Sequence, residues 1–264
     1  MHILVTNDDG IQSEGLHALV RALETVGIVH VVAPHHERSA SGHAITLHKP
    51  LRAFAVEIPE SRAAAWATTG TPADCVVLAV YDLLPQRPDL VLSGINVGAN
   101  IGHDLTYSGT VSGAMEAAIM GIPAIAVSVD ALDEARFDVA ASFAAALVQQ
   151  VCRHGMQEDT LLNVNVPNRP ADQIRGVALT RQSAGRYINR LERREDPRGR
   201  PYYWLLGERA TGQAPEGTDS HALAAGYISV TPVQMNMTNE SMRLAMQAWE
   251  LDRLLTRGVR SRRS

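Results

Sequence analysis

Two aspartates stand side by side in Asn7-Asp8-Asp9-Gly10, directly after an apolar run from His2 to Thr6. Adjacent carboxylates at the end of a strand repel each other unless a cation or a basic group neutralises them. Oxygen ligands of this type suit Mg²⁺ or Mn²⁺, which keep several waters and bind through one or two carboxylates. The same residues would also serve as an Asx-Gly turn with a helix cap.

Three more polar segments follow apolar runs. His35-His36-Glu37-Arg38-Ser39-Ala40-Ser41-Gly42-His43 lacks the HExxH spacing of a zinc helix. In it, Ser39 offers a hydroxyl to a hard metal and Arg38 a charge for an anion, although an exposed polar loop explains it equally well. Ser93-Gly94-Ile95-Asn96-Val97-Gly98-Ala99-Asn100-Ile101-Gly102 has glycines spaced GxxxGxxxG rather than GxGxxG, which speaks against a dinucleotide fingerprint. It still supplies flexible backbone for close approach to a ligand and the neutral carbonyl oxygen of Asn96. Tyr107-Ser108-Gly109-Thr110 opens a small-residue helix, whose outward N–H groups form a ready anion site at Ser108, Gly109 and Thr110. Ordinary capping by Ser108 or Thr110 is compatible with that role. A hard metal beside a phosphate cradle is the equipment of a phosphate-monoester hydrolase.

Other chemistries are excluded by what the chain lacks. Its only lysine is Lys49, before Pro50, and no GxxxxGK[ST] loop occurs, so a triphosphate loop of the Walker type is absent. A receiver-like module needs a lysine after its last strand, and Lys49 comes far too early. The formal charge of −4 over 264 residues is no basic field for a nucleic-acid duplex or a membrane surface. Cys75 and Cys152 form no CxxC or metal-ligand pair and suit a reducing cytosol. The chain opens on a strand rather than on a charged and apolar leader, and no apolar run reaches the ~20 residues of a membrane span. A cytoplasmic protein is expected.

Placing these loops requires a parallel sheet. Strands are predicted at His2 to Thr6, Ile28 to Ala33, Asp89 to Leu92, Pro123 to Val129 and Thr160 to Val166, with further extended segments at Ala44 to Leu47 and Arg52 to Ile58. Helices are predicted between them. Leu16, Leu19, Val20, Leu23 and Val26 share a helical face; Thr71-Pro72 opens a second helix; Thr110 to Met120 and Ala135 to Arg153 supply two more. This alternation predicts an α/β fold, a Rossmann-like, doubly wound and mostly parallel sheet. The four polar loops all follow strands and should share its carboxyl edge. The 264 residues, 45% of them hydrophobic, read as a single unit: a core over 1–170 and an extension over 171–264. The extension should contain a projecting hairpin turning at Asp196-Pro197-Arg198-Gly199, a strand at 227–233 returned to the sheet, and a C-terminal helix from Ser241 to Leu255. A basic tail from Arg257 should be frayed. A projecting hairpin implies a partner subunit.

The segments ILVTNDDG, APHHERSASG, SGINVGANIGHDLTYSGTVSGAMEAAIMGIPAIAVS and GTDSHALAAGYISVTP resemble, in order and over almost the whole chain, those of the SurE (survival protein E) nucleotidases. The resemblance implies a Rossmann-like domain whose extension exchanges elements between subunits, giving a homodimer or homotetramer. It implies hydrolysis of nucleoside 5′- and 3′-monophosphates, with some exopolyphosphatase activity and one divalent cation per subunit. By motif match the metal ligands would be Asp8, Asp9, Ser39 and Asn96, and Ser108, Gly109 and Thr110 would bind phosphate. Asp219 and His221 fall near a functional loop, without a defined role. Two mechanisms stay open: attack by a metal-activated water with Asp8 or Asp9 as base, or a phospho-aspartyl intermediate on Asp8. Water is favoured because covalent phosphatases of the haloacid-dehalogenase type space their aspartates at i and i+2, not side by side.

Overall fold

A computed structural model describes residues 1–131, 133–184, 187–209 and 214–254. In chain order its main elements are β1 (His2–Thr6), α1 (Glu14–Leu23), β2 (Ile28–Pro34), β3 (Ala53–Val56), β4 (Ala64–Thr68), α2 (Pro72–Leu78), β5 (Leu90–Val97), α3 (Gly109–Ile119), β6 (Ala124–Asp130), α4 (Asp138–His154), β7 (Thr160–Pro167), β8 (Val177–Leu179), β9 (Tyr187–Glu195), β10 (Pro201–Arg209), α5 (Asp219–Ala224), β11 (Ile228–Gln234) and α6 (Glu240–Ala245).

One sheet runs β3-β4-β2-β1-β5-β6-β7-β11-β8. From β4 to β7 every neighbouring pair is parallel. The expected doubly wound α/β architecture is therefore present, with β1 in the interior between β2 and β5. Strands after β2 continue to one side of it and strands from β5 onward to the other, so the switch point opens beside the carboxyl end of β1. Alternate strand residues serve two cores. Ile3 and Val5 pack with Leu16, Leu19 and Leu23 of α1 and Ala144 and Val148 of α4, whereas Leu4 packs with Val76 of α2 and Val111, Ala114 and Ala117 of α3. This strand alternation yields a three-layer α/β/α sandwich. Among the described residues no helix is long and apolar enough to cross a membrane.

Several expectations change in detail. Ala44 to Leu47 forms no strand; the N–H and hydroxyl of Thr46 both donate to the Asp74 carboxylate, at 2.8 and 2.7 Å. That side chain competes with strand pairing for the local backbone. Only Ala53–Val56 of the second extended segment pairs, at the sheet edge against β4. β4 itself is alanine-rich and lacks the β-branched signature that announces a strand. β5 runs on to Val97, through what reads as a glycine loop. Gly94 makes this possible, since a Cβ there would lie 2.3 Å from the Val127 carbonyl oxygen of β6. Thr71 caps α2 as predicted, with a reciprocal capping box to Asp74.

In the extension, β11 pairs antiparallel with β7 and parallel with β8. The hairpin forms a separate two-stranded sheet in which Leu191 faces Leu205 and the turn closes on Asp196, whose carboxylate accepts from the N–H groups of Arg198 and Arg200. The predicted C-terminal helix is interrupted. α6 ends at Ala245, a 3₁₀ turn follows over Met246–Trp249, and Glu250 adopts φ +48. The last residue of that prediction and the basic tail lie outside the described residues.

Candidate functional site

Asn7 shapes the turn that presents the acidic pair. Its side-chain amide donates to the Gly10 carbonyl at 3.0 Å and to Ser13 Oγ at 2.7 Å, while Ser13 caps α1. Asp8, only 4% exposed, points at the N-terminus of α3. It accepts from the hydroxyl and the backbone N–H of Thr110. Gly109 is obligatory at this contact, because a Cβ there would stand 2.7 Å from both Cβ and Oδ2 of Asp8. Ser108 caps the helix by accepting from the Val111 N–H at 3.1 Å.

Asp9 lies beside it, half-buried, and its carboxylate accepts from the Val97 N–H at the end of β5. Burial raises the pKa of both aspartates. Asp8 is partly relieved by Thr110; Asp9 is pushed up to about 7 by burial first, then by the charge of Asp8, with Glu37 adding to both. The loop after β2 is tied on by the Arg38 N–H, which donates to the Asp8 carbonyl at 2.7 Å.

The structure thus brings Asp8, Gly109 and Thr110 into direct contact, with Ser108 as the cap of that helix. Asn96 is placed next to the Asp9 donor Val97. Its amide nitrogen donates to the Gly98 carbonyl at 2.7 Å. Ser39 follows the Arg38 anchor, and its hydroxyl donates to Glu37 at 2.6 Å.

A cation fits this constellation on one observation above all. Among the described residues, buried Asp9 Oδ2 and Asn7 Oδ1 find no hydrogen-bond partner, a costly state for polar oxygens and most costly for a carboxylate. Among the described residues no trio of His, Cys, Asp or Glu forms a metal cage. A cation here would take Asp8 and Asp9 and complete its shell with neutral oxygens such as those of Asn96 and Ser39 and with water, a hard-metal donor set. Rival nucleophiles are poorly placed. Cys75 is fully buried against Thr68, and burial pushes its thiol up to about 12; Lys49 sits exposed in a loop.

The raised Asp9 pKa has a consequence for stability. The unfolded chain ionises this carboxyl near 3.9 and the folded chain near 7. Between those values the unfolded state releases its proton first, so stability falls as pH rises through the window and levels off above it. With metal chelated, Asp9→Asn is therefore expected to melt higher than the parent at pH 7.5, by roughly 5 °C, and little higher at pH 4.5. Equal differences at both pH values in a melting series would reject a buried charge at Asp9.

Reading the sequence did not single out the hydrogen-bond network around Asn100, and it named Asp219 and His221 without giving them a role. Asn100 donates from its N–H to Asn165 Oδ1 and from its amide to Ser128 Oγ, both at 2.8 Å, while its carbonyl accepts from Asn163 and Asn165. The alternation Asn163-Val164-Asn165 in a buried strand was the available signal. Asp219, fully buried, accepts from the N–H groups of Gly102, Ser183 and Ser220. His221 is exposed, with Nδ1 3.2 Å from the Ala214 carbonyl.

Known proteins share this arrangement of elements. The family model described as survival protein SurE matches residues 3–189. A 5′-nucleotidase SurE of Pelobacter propionicus is 49% identical over 250 residues, covering 94% of this chain and 99% of its own. One of Geobacter sulfurreducens is 49% identical over 252 residues, covering 95% and 94%. The crystal structure of the SurE protein from Aquifex aeolicus superposes with a TM-score of 0.84 at 42% identity, covering 95% of this chain and all of that one. With a motif-bearing core matched from β1 to the hairpin and relatives aligned nearly end to end, this chain belongs to the SurE family.

Proposed function

We propose that the chain is a metal-dependent nucleotidase that hydrolyses nucleoside monophosphates, 5′ and also 3′, to nucleoside and phosphate. The observation that carries this reading is the unpartnered Asp9 oxygen beside an Asp8 held against the α3 N-terminus. Two raised carboxylates next to an anion-binding helix end make sense together only with a cation between them and a phosphate. The relatives named 5′-nucleotidase SurE support the substrate class.

Asp8, Asp9, Ser39 and Asn96 are the proposed ligands of one Mg²⁺ or Mn²⁺ per subunit. When bound, such a cation neutralises charge on the phosphoryl group and acidifies water. Ser108, Gly109 and Thr110 are the proposed phosphate-binding set, with Thr110 fixing Asp8 at the same time. Asp8 is too enclosed by Thr110 and Gly109 to turn and attack phosphorus, which favours water as nucleophile. Asp9, less buried and with an unpartnered oxygen, is the proposed acceptor of that water's proton.

In a panel of nucleoside 5′- and 3′-monophosphates and polyphosphate, phosphate release is expected from the mononucleotides with Mg²⁺ or Mn²⁺, and none with EDTA. Release that survives EDTA would sink the metal proposal.

Residues 1–170 are the proposed core and 171–264 the proposed oligomerisation extension of a homodimer or homotetramer. A lone two-stranded hairpin is marginal in water, yet Leu191, Tyr203, Trp204 and Leu205 are exposed. Replacing Leu191, Trp204 and Leu205 by serine is expected to give a smaller species in sedimentation; an unchanged mass would remove the hairpin from the interface. The free cysteines Cys75 and Cys152 are in keeping with the cytoplasm as the proposed compartment.

A further inference from the structure

Asp9 belongs to two spaces. On one side stands Asp8; on the other, Asp9 forms part of the wall of a cavity of about 410 Å³ between β5 and α4. That volume falls within the usual range of small-molecule sites. A monoester whose phosphate lies against the acidic pair has room here for its remaining part.

The lining indicates what that part is. Phe137 borders the cavity, half-buried and packed against the core cluster. Its ring edge is seated against Gly15, where a Cβ would lie 2.9 Å from Cε1. A ring held this way is a stacking platform for a flat heterocycle. Asp9, Glu14 and Glu134 also border the cavity, the two glutamates exposed, and among the described residues no Lys or Arg does. Such a rim repels a second phosphate and receives a neutral group rich in hydroxyl donors, which carboxylates accept as they do a ribose diol.

We propose that this cavity is the nucleoside subsite, with the base on Phe137 and the ribose hydroxyls donating to Glu14 and Glu134. The proposal rests on the nucleotidase reading and adds to it the determinant of substrate class.

The test compares AMP with β-glycerophosphate, which lacks a base, on the full chain. Phe137→Ala and the core-preserving Phe137→Leu are expected to lower kcat/KM for AMP by about tenfold. The loss for β-glycerophosphate should stay within about twofold. Tyr107→Ala, which removes the exposed aromatic beside the α3 cap, should leave AMP turnover unchanged. In parallel, saturation-transfer NMR with EDTA present should detect adenosine on the parent and lose it on Phe137→Leu. Equal losses on both substrates, an unaffected AMP, or an AMP-selective loss from Tyr107→Ala would overturn the subsite. If the parent cleaves β-glycerophosphate but not AMP, the nucleotidase reading fails instead, and adenosine binding still decides the cavity.

Discussion

Asp9→Asn is expected to lower kcat for nucleoside monophosphates by about 10²–10⁴-fold, the range that a positioned general base supplies. The amide keeps the shape and one oxygen but removes the negative charge and the proton acceptor, so cation affinity should fall as well. The loss cannot be assigned to unfolding. Asp9 is a half-buried carboxylate with an unpartnered oxygen and a neighbouring like charge, and removing that charge relieves the folded state. The variant should thus be dead and at least as stable as its parent in EDTA at pH 7.5, a combination that no purely structural role for Asp9 produces. Steady-state kinetics, calorimetric titration with Mn²⁺ and a melting curve on the same preparation check all three. Activity within about threefold of the parent would remove Asp9 from the reaction.

The largest effect on stability is expected from Asp219→Ala. One fully buried carboxylate satisfies three backbone donors, two of them from distant segments: Gly102 at 2.9 Å, Ser183 at 3.0 Å and the adjacent Ser220 at 2.7 Å. Each buried N–H left without a partner costs about 1–3 kcal/mol. Several such losses together consume a large part of a domain's usual ~5–15 kcal/mol. Asp219→Asn separates structure from function. Oδ1 holds two of the donors and Oδ2 only Gly102, so the amide keeps its oxygen on Ser183 and Ser220 and turns its nitrogen toward the Gly102 N–H. Gly102 begins the 3₁₀ turn that leads to Ser108 and α3, and its carbonyl is held by Gln182 at 2.7 Å. Asp219→Asn is expected to stay folded but lose about tenfold in kcat/KM, whereas Asp219→Ala should be recovered poorly or melt far lower. If both variants melt and turn over like the parent, the clamp has no role.

Local rules sufficed wherever the information was local. The strand at His2–Thr6, the cap at Thr71, the helix after Ser108 and the hairpin turn at Asp196 each follow from short-range periodicity, capping and turn chemistry. That Asp8-Asp9 and the Arg38 loop meet at one sheet edge followed from strand order, since parallel strands deliver their carboxyl ends to the same side. Ser108 to Thr110 follow a 3₁₀ turn after β5 rather than a strand, contrary to expectation. Where alanine replaced β-branched residues, as in Ala64–Thr68, that signal vanished although the strand remained. Where glycine marked close packing against Val127 rather than a turn, a strand was read as a loop.

By itself, then, the order of residues determined the α/β class, the acidic pair and the loops that accompany it. Only the tertiary structure decided how those groups are used. It spent the Thr110 hydroxyl on Asp8, left an Asp9 oxygen unpartnered, aimed Asp219 at Gly102 and set Phe137 across a cavity from the same aspartate. The physical reason is that proton affinity and ligand fit depend on burial and on partners a hundred residues away, and these exist only once the sheet has brought distant strand ends together.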